Sequence, residues 1–128
     1  MKKLEKDIKH YLRERNWHKL RPSDIAKSIS IEAAELLELF QWQSMEIKEV
    51  KQDKAKLEKL KGELADIFLY AIEMSVLLDL DSEKIIRTKL ARVKEKYPAA
   101  LMKKTKKDHG TQEIYLKIKD EYRRKEGR

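Results

Sequence analysis

The sequence predicts an all-α fold: a helical bundle of four to five helices that oligomerises through its central helices. Three observations carry this. Apolar residues recur with helical spacing along most of the chain, and no stretch alternates with a period of two. Only three Gly and two Pro occur in 128 residues, too few for a β-sandwich or a collagen-like repeat. Charged residues make up 42% and hydrophobic residues 41%, the profile of a helical, soluble protein. The length suits one domain around one core.

Each element has its own signals. A first amphipathic helix is expected over Lys2–Asn16. Arg21-Pro22-Ser23 reads as a turn, with Ser23 as N-cap and Asp24 in the first turn, where its charge suits the helix dipole. The second helix runs on to about Trp42. Residues Ser44–Asp53 are polar and indeterminate. A third helix spans Lys54–Leu78. Asp79 and Asp81 break it, and Asp81 or Ser82 caps a fourth helix reaching Lys96. Pro98 stops that helix, because proline cannot continue the hydrogen-bond ladder. Lys103–Gly110 is a basic loop, and Thr111 caps a last charged helix ending near Arg124. Tyr97 is expected to close the fourth helix over the core, and His10, His18 and His109 to lie at the surface.

Composition excludes whole classes of chemistry. There is no cysteine, so disulfides, zinc–thiolate sites, iron–sulfur clusters and cysteine nucleophiles are ruled out, and a cytoplasmic location is expected. The lysines at the N-terminus are not followed by an apolar signal core. The longest apolar run, Ile67–Ile72, is far too short to span a bilayer, so no membrane partner is expected. The net charge of +8 favours polyanionic partners.

Carboxylates occupy positions where a core belongs. On the second helix Glu32 and Glu35 fall within or beside an arc of Ile25, Ile29, Ala33, Leu36 and Phe40, one turn apart. On the third, twelve of the fifteen residues from Leu64 to Leu78 are apolar and surround the helix, yet Asp66 lies among them. Glu63 precedes it by one turn, and Glu73 follows two turns on. A helix apolar all round belongs inside a bundle or an interface, which predicts a homodimer or homotetramer. Burying several carboxylates together costs several kcal/mol each unless something compensates. A divalent cation held by oxygens of both helices does so, and an all-oxygen set suits Mg²⁺, with Mn²⁺ able to substitute. Two rivals stand beside this reading. One is a merely solvated acidic face. The other is a di-iron bundle, which needs two Glu-x-x-His motifs and finds only Asp7-x-x-His10.

The ordered set Glu32-x-x-Glu35, 27 residues, Glu63-x-x-Asp66 resembles the signature of the MazG-like all-α nucleoside triphosphate pyrophosphohydrolases. The flanks agree: Ser30 to Trp42 is similar to the first metal helix of that family, Glu63 to Tyr70 to its second. Lys89, Lys96, Tyr97 and Pro98 are similar to its closing element, although Val93 stands where the family has Asn and Lys96 where it has Arg. The resemblance covers roughly Trp17–Pro98. Residues 1–102 are expected to form the pyrophosphohydrolase domain, and 103–128, outside the resemblance, a basic helical extension of the same domain. The resemblance implies Mg²⁺-dependent hydrolysis of (deoxy)nucleoside triphosphates to monophosphate and pyrophosphate, often to clear non-standard or excess nucleotides. On it, Glu32, Glu35, Glu63 and Asp66 are the metal ligands, and Glu35 or Glu38 activates water. Lys89, Arg92 and Lys96, at one-turn spacings, are phosphate contacts. Trp42 and Trp17 border the base, whereas Phe40 is assigned to packing.

The alternative is a non-enzymatic helical module that binds nucleic acid through the basic run from Lys103 to Lys107 and the helix after it. No helix-turn-helix or aromatic RNA-binding signature supports it, so nucleic acid is the lesser expectation.

Overall fold

The computed structural model describes residues 1–103 and 112–127. Among the described residues seven α-helices follow one another: α1 (Lys2–Glu14), α2 (Pro22–Glu38), α3 (Ile47–Gln52), α4 (Lys54–Leu77), α5 (Ser82–Lys96), α6 (Ala99–Lys103) and α7 (Gln112–Lys125), with a 3₁₀ turn at Trp17–Lys19. No strand occurs among the described residues. The all-α prediction therefore holds, with two short helices, α3 and α6, added to the long ones.

Local chemistry explains the boundaries, including those that differ from expectation. Pro22, not Ser23, opens α2: Arg21 is the N-cap, and proline takes the first helical position, where its fixed φ is already correct and its missing N–H is not needed. Ser23 is thus inside the helix, while Asp24 sits in the first turn and binds the Arg21 guanidinium at 3.0 Å. The same helix ends at Glu38 rather than Trp42, and residues 39–42 continue as turns. There the ammonium of Lys56 donates to the Leu39 carbonyl at 2.7 Å, satisfying a helix-end oxygen and favouring the negative end of the dipole. The indeterminate stretch before residue 54 contains α3, started by a reciprocal capping box of Glu46 and Glu49. Asp53 then caps α4, accepting the Lys56 N–H at 3.0 Å. The end of α4 is a Schellman turn. Asp79 is left-handed at φ 54°, Leu80 N–H donates to the Ser75 carbonyl at 2.8 Å, and Asp79 N–H donates to the Val76 carbonyl at 3.3 Å. Thr111, expected to cap the last helix, and the basic run from Lys104 to Gly110, with His109, lie outside the described residues.

The chain divides into two compact units, Met1–Ser82 and Glu83–Arg128. In the first, α4 is the central rod. Helix α2 packs along it, and α1 and α3 pack on it as well. Ile8 and Leu12 from α1 meet Val76 of α4 in the buried core, with Tyr11, Ile72 and Leu77 around them. The backbone N–H of Ser82 donates to Glu5 of α1 at 2.7 Å. The expectation that α4 is buried on every side is not met within one chain: Phe68 is 61% exposed, and Leu69 and Leu78 also face out. The reason is geometric. Helices α1, α2 and α3 cover only part of the circumference of α4, so the remaining apolar arc has no neighbour in this unit.

In the second unit, Tyr97 stacks on Tyr115 with ring centroids 4.9 Å apart. Arg92 approaches Glu126 at 3.6 Å, and the Lys96 ammonium lies over the rings of Tyr97 and Tyr122. Lys89 borders an apolar surface groove formed by Ile85, Ile86, Leu90 and Val93.

Candidate metal centre and its cleft

The packing of α2 on α4 brings two acidic stripes together. On α4 the positions 63, 66, 70 and 73 recur at three- and four-residue steps and share one face; on α2 the positions 28, 32 and 35 do the same. One carboxylate oxygen from each of Glu32, Glu63 and Asp66 lies within 4.8 Å of the other two. That separation suits oxygens arranged around one divalent ion.

The electrostatics show how closely the acids crowd one another. Partial burial is the main cause that raises the Glu32 carboxyl above its ordinary range, followed by hydrogen bonding to Glu35 and repulsion from Glu35, Asp66 and Glu63. Burial also leads for Glu63, followed by repulsion from Glu35, hydrogen bonding to it, and repulsion from Asp66 and Glu38. Oxygen Oε2 of Glu63 is buried without a hydrogen-bond partner. Such an orphaned carboxylate oxygen is expensive unless a cation faces it. The donor set and this oxygen both fit a hard divalent cation.

The structure therefore brings Glu32, Glu63 and Asp66 together, with Glu35 against them and Glu38 close enough to act on Glu63. It corrects one expectation about their surroundings. The acids are not in a dry interior: Glu32 and Glu63 are half-buried, while Glu35, Glu38 and Asp66 are exposed. Glu32 and Asp66 border a cleft of about 420 Å³. Its walls include Glu32 and Asp66 at the acidic cluster, and Tyr11, Trp17, Leu20, Ser28, Tyr70 and Glu73 beyond. Trp17 meets Tyr11 edge-on, with centroids 5.7 Å apart. Trp42, by contrast, is 87% exposed and is not among the residues of this wall. Phe40 lies instead in an apolar groove with Ala33, Leu36, Leu37, Leu60 and Leu64. Lys89, Arg92 and Lys96 belong to the second unit, on α5.

Residues 27–111 match the model of the MazG-like family. The chain belongs to the MazG-like family. A solved structure, that of a pyrophosphatase from Archaeoglobus fulgidus DSM 4304, is similar to this chain, with 29% sequence identity and a TM-score of 0.65. The similarity covers 77% of this chain and 92% of that one. No curated protein matches. The MazG-like match spans both acidic pairs, and the fold carries them on the two helices that pack most extensively.

Reading the acidic pairs alone missed Tyr70, Ser28 and Glu73 as cleft residues. The signal was present: Tyr70 and Glu73 continue the Glu63–Asp66 face at helical spacing. It was hidden because α4 looks apolar all round, so no face stands out from the sequence. No helix among the described residues is long and apolar enough to cross a membrane.

Proposed function

We propose that this MazG-like protein hydrolyses (deoxy)nucleoside triphosphates to monophosphate and pyrophosphate with Mg²⁺, clearing non-standard or excess nucleotides in the cytoplasm. The convergence of Glu32, Glu63 and Asp66, together with a buried, unpartnered oxygen on Glu63, carries this reading. The pyrophosphatase relationship supports the choice of reaction. Glu32, Glu35, Glu63 and Asp66 would hold the ion, with Mn²⁺ able to replace it. When bound, the ion screens phosphate charge and makes water more acidic. Glu35, exposed and beside the cluster, is proposed to accept the proton of the attacking water, with Glu38 as the second candidate. Lys89, Arg92 and Lys96 are proposed to contact phosphate oxygens, and Trp17 and Trp42 to border the base. Of the two tryptophans, Trp17 has the support of the cleft wall.

A homodimer or homotetramer belongs to the same proposal. The exposed arc of α4 and the groove containing Leu37, itself 70% exposed, leave apolar surface that a second copy would cover. Light scattering at micromolar concentration should give at least twice the mass of one chain.

The activity test is product analysis. Nucleoside triphosphates incubated with the protein and Mg²⁺ should yield monophosphate and pyrophosphate in equal amounts. Glu35→Gln or Asp66→Asn should abolish turnover while helicity by circular dichroism is retained. Release of inorganic phosphate alone, or no product from any standard or modified nucleotide, would sink the proposal.

A further inference from the structure

Glu73 has no part in the metal centre, yet it lines the same cleft. It is only 4% exposed, the most unusual placement for a carboxyl in this chain. Among the described residues no hydrogen bond or ion pair reaches its side chain, and burial is the one influence acting on its protonation. A carboxyl with no partner in the chain, on a residue buried this deeply, is costly, and a group entering the cleft that Glu73 lines can supply the missing donor.

We propose that Glu73 reads the nucleobase, accepting N–H from the exocyclic amino group of an amino-bearing base and so favouring it over the corresponding oxo base. This rests on the pyrophosphohydrolase reading above. Three observations fix the direction in which a nucleotide would lie. Glu73 follows Asp66 by seven helical residues, about 10.5 Å along α4. That is enough to place a sugar and a base beyond phosphates held at the acidic cluster. Phosphate oxygens cannot sit against Glu73, because no cation lines the cleft beside it among the described residues. Tyr11, Trp17 and Tyr70, in the same wall, offer aromatic surface suited to the flat base and not to the phosphates.

The choice of amino-bearing bases follows from hydrogen-bond chemistry. An amino group donates N–H to a carboxyl oxygen in either protonation state of Glu73. An oxo group in the same place presents a lone pair, which an ionised carboxylate repels. Sites built around a buried polar group reject analogues lacking its partner far more strongly than apolar pockets reject a missing methylene.

The experiment compares kcat/KM for CTP against UTP and for ATP against ITP at pH 8 with Mg²⁺, in the wild type and in Glu73→Gln. The glutamine amide can both donate and accept. The wild type should prefer the amino member of at least one pair by about tenfold or more, and the variant should bring that ratio to within about threefold of unity. Binding of Mn²⁺ alone should be unchanged in the variant, which separates base reading from damage to the metal centre. Wild-type ratios near unity in both pairs overturn the inference, and this holds even if the variant does not fold. A preference that survives Glu73→Gln overturns it as well, while leaving pyrophosphohydrolase activity standing. Failure of the wild type to cleave any of the four nucleotides overturns the activity itself, and the inference with it.

Discussion

Glu73→Gln should make the free protein more stable at neutral pH, and the gain should disappear in acid. Burial raises the Glu73 carboxyl above its ordinary value near 4.5. Between that value and the raised folded one, the native state binds more protons than the unfolded state, so stability falls as pH rises through the window. Below about pH 4.5 both states are protonated and the penalty is absent. Above the folded value the penalty is complete, at about 1.4 kcal/mol for each unit by which the folded value exceeds the unfolded one. Water entering the cleft reduces this. Glutamine is nearly isosteric and never ionises, so the variant escapes the penalty. In a chain of this size about 1 kcal/mol corresponds to a Tm increase of roughly 3–5 °C. Thermal unfolding of both proteins from pH 4 to pH 8, without divalent cations, reads it directly. The two curves should converge at the acid end. A difference independent of pH, or a variant less stable at pH 7, would refute the claim that an unpaired carboxyl is buried at this position.

Three other outcomes follow from the same structure. Glu32 and Glu63 are both raised, chiefly by burial and by their acidic neighbours, so binding of Mn²⁺ should release protons and strengthen as pH rises above about 4.5; calorimetry in buffers of different ionisation enthalpy counts those protons. Asp79 holds a left-handed φ of 54° at the end of α4, so Asp79→Gly should stabilise the protein by about 0.5 kcal/mol in urea denaturation, the loss of its exposed 4.0 Å approach to Lys9 costing little. Leu12 is 1% exposed and packs at the meeting of α1 and α4, so Leu12→Ala should cost about 2–5 kcal/mol in the same assay.

How much of this was legible in the sequence depended on whether a signal was local. Pro98 and the acidic breaks at Asp79 and Asp81 mark real ends, because proline geometry and left-handed turns are set by neighbours in the chain. The N-cap of α2 is Arg21, two residues before the expected Ser23, because Ser23 and Pro22 carry competing start signals and proline at the first helical position prevails. The acidic pairs were legible as a pattern, and the approach of Glu32, Glu63 and Asp66 to one another could be inferred from repulsion that demands relief. Their exposure could not. For Glu32 and Asp66 it depends on a cleft whose walls come from α1, the 3₁₀ turn, α2 and α4, which are distant in sequence. Glu73 was visible as an acid in an apolar helix, but its isolation from any partner is a fact of packing.

The charge of that cleft also constrains how a substrate can reach it. Asp24, Glu32, Asp66 and Glu73 all line it, and no Lys or Arg does so among the described residues. Asp24 is neutralised locally, held below its ordinary range chiefly by the hydrogen bond from Arg21, with Lys27 adding its charge at 3.8 Å. The other three are not. The chain's net charge of +8 can draw a polyphosphate toward the surface, but close to the cluster the nearest charges are negative and dominate. A bare triphosphate should therefore be repelled where a cation–nucleotide complex is accepted. The order of events follows from this balance: charge neutralisation comes before close approach, so nucleotide affinity measured with excess chelator should fall far more than the loss of one ordinary hydrogen bond could explain.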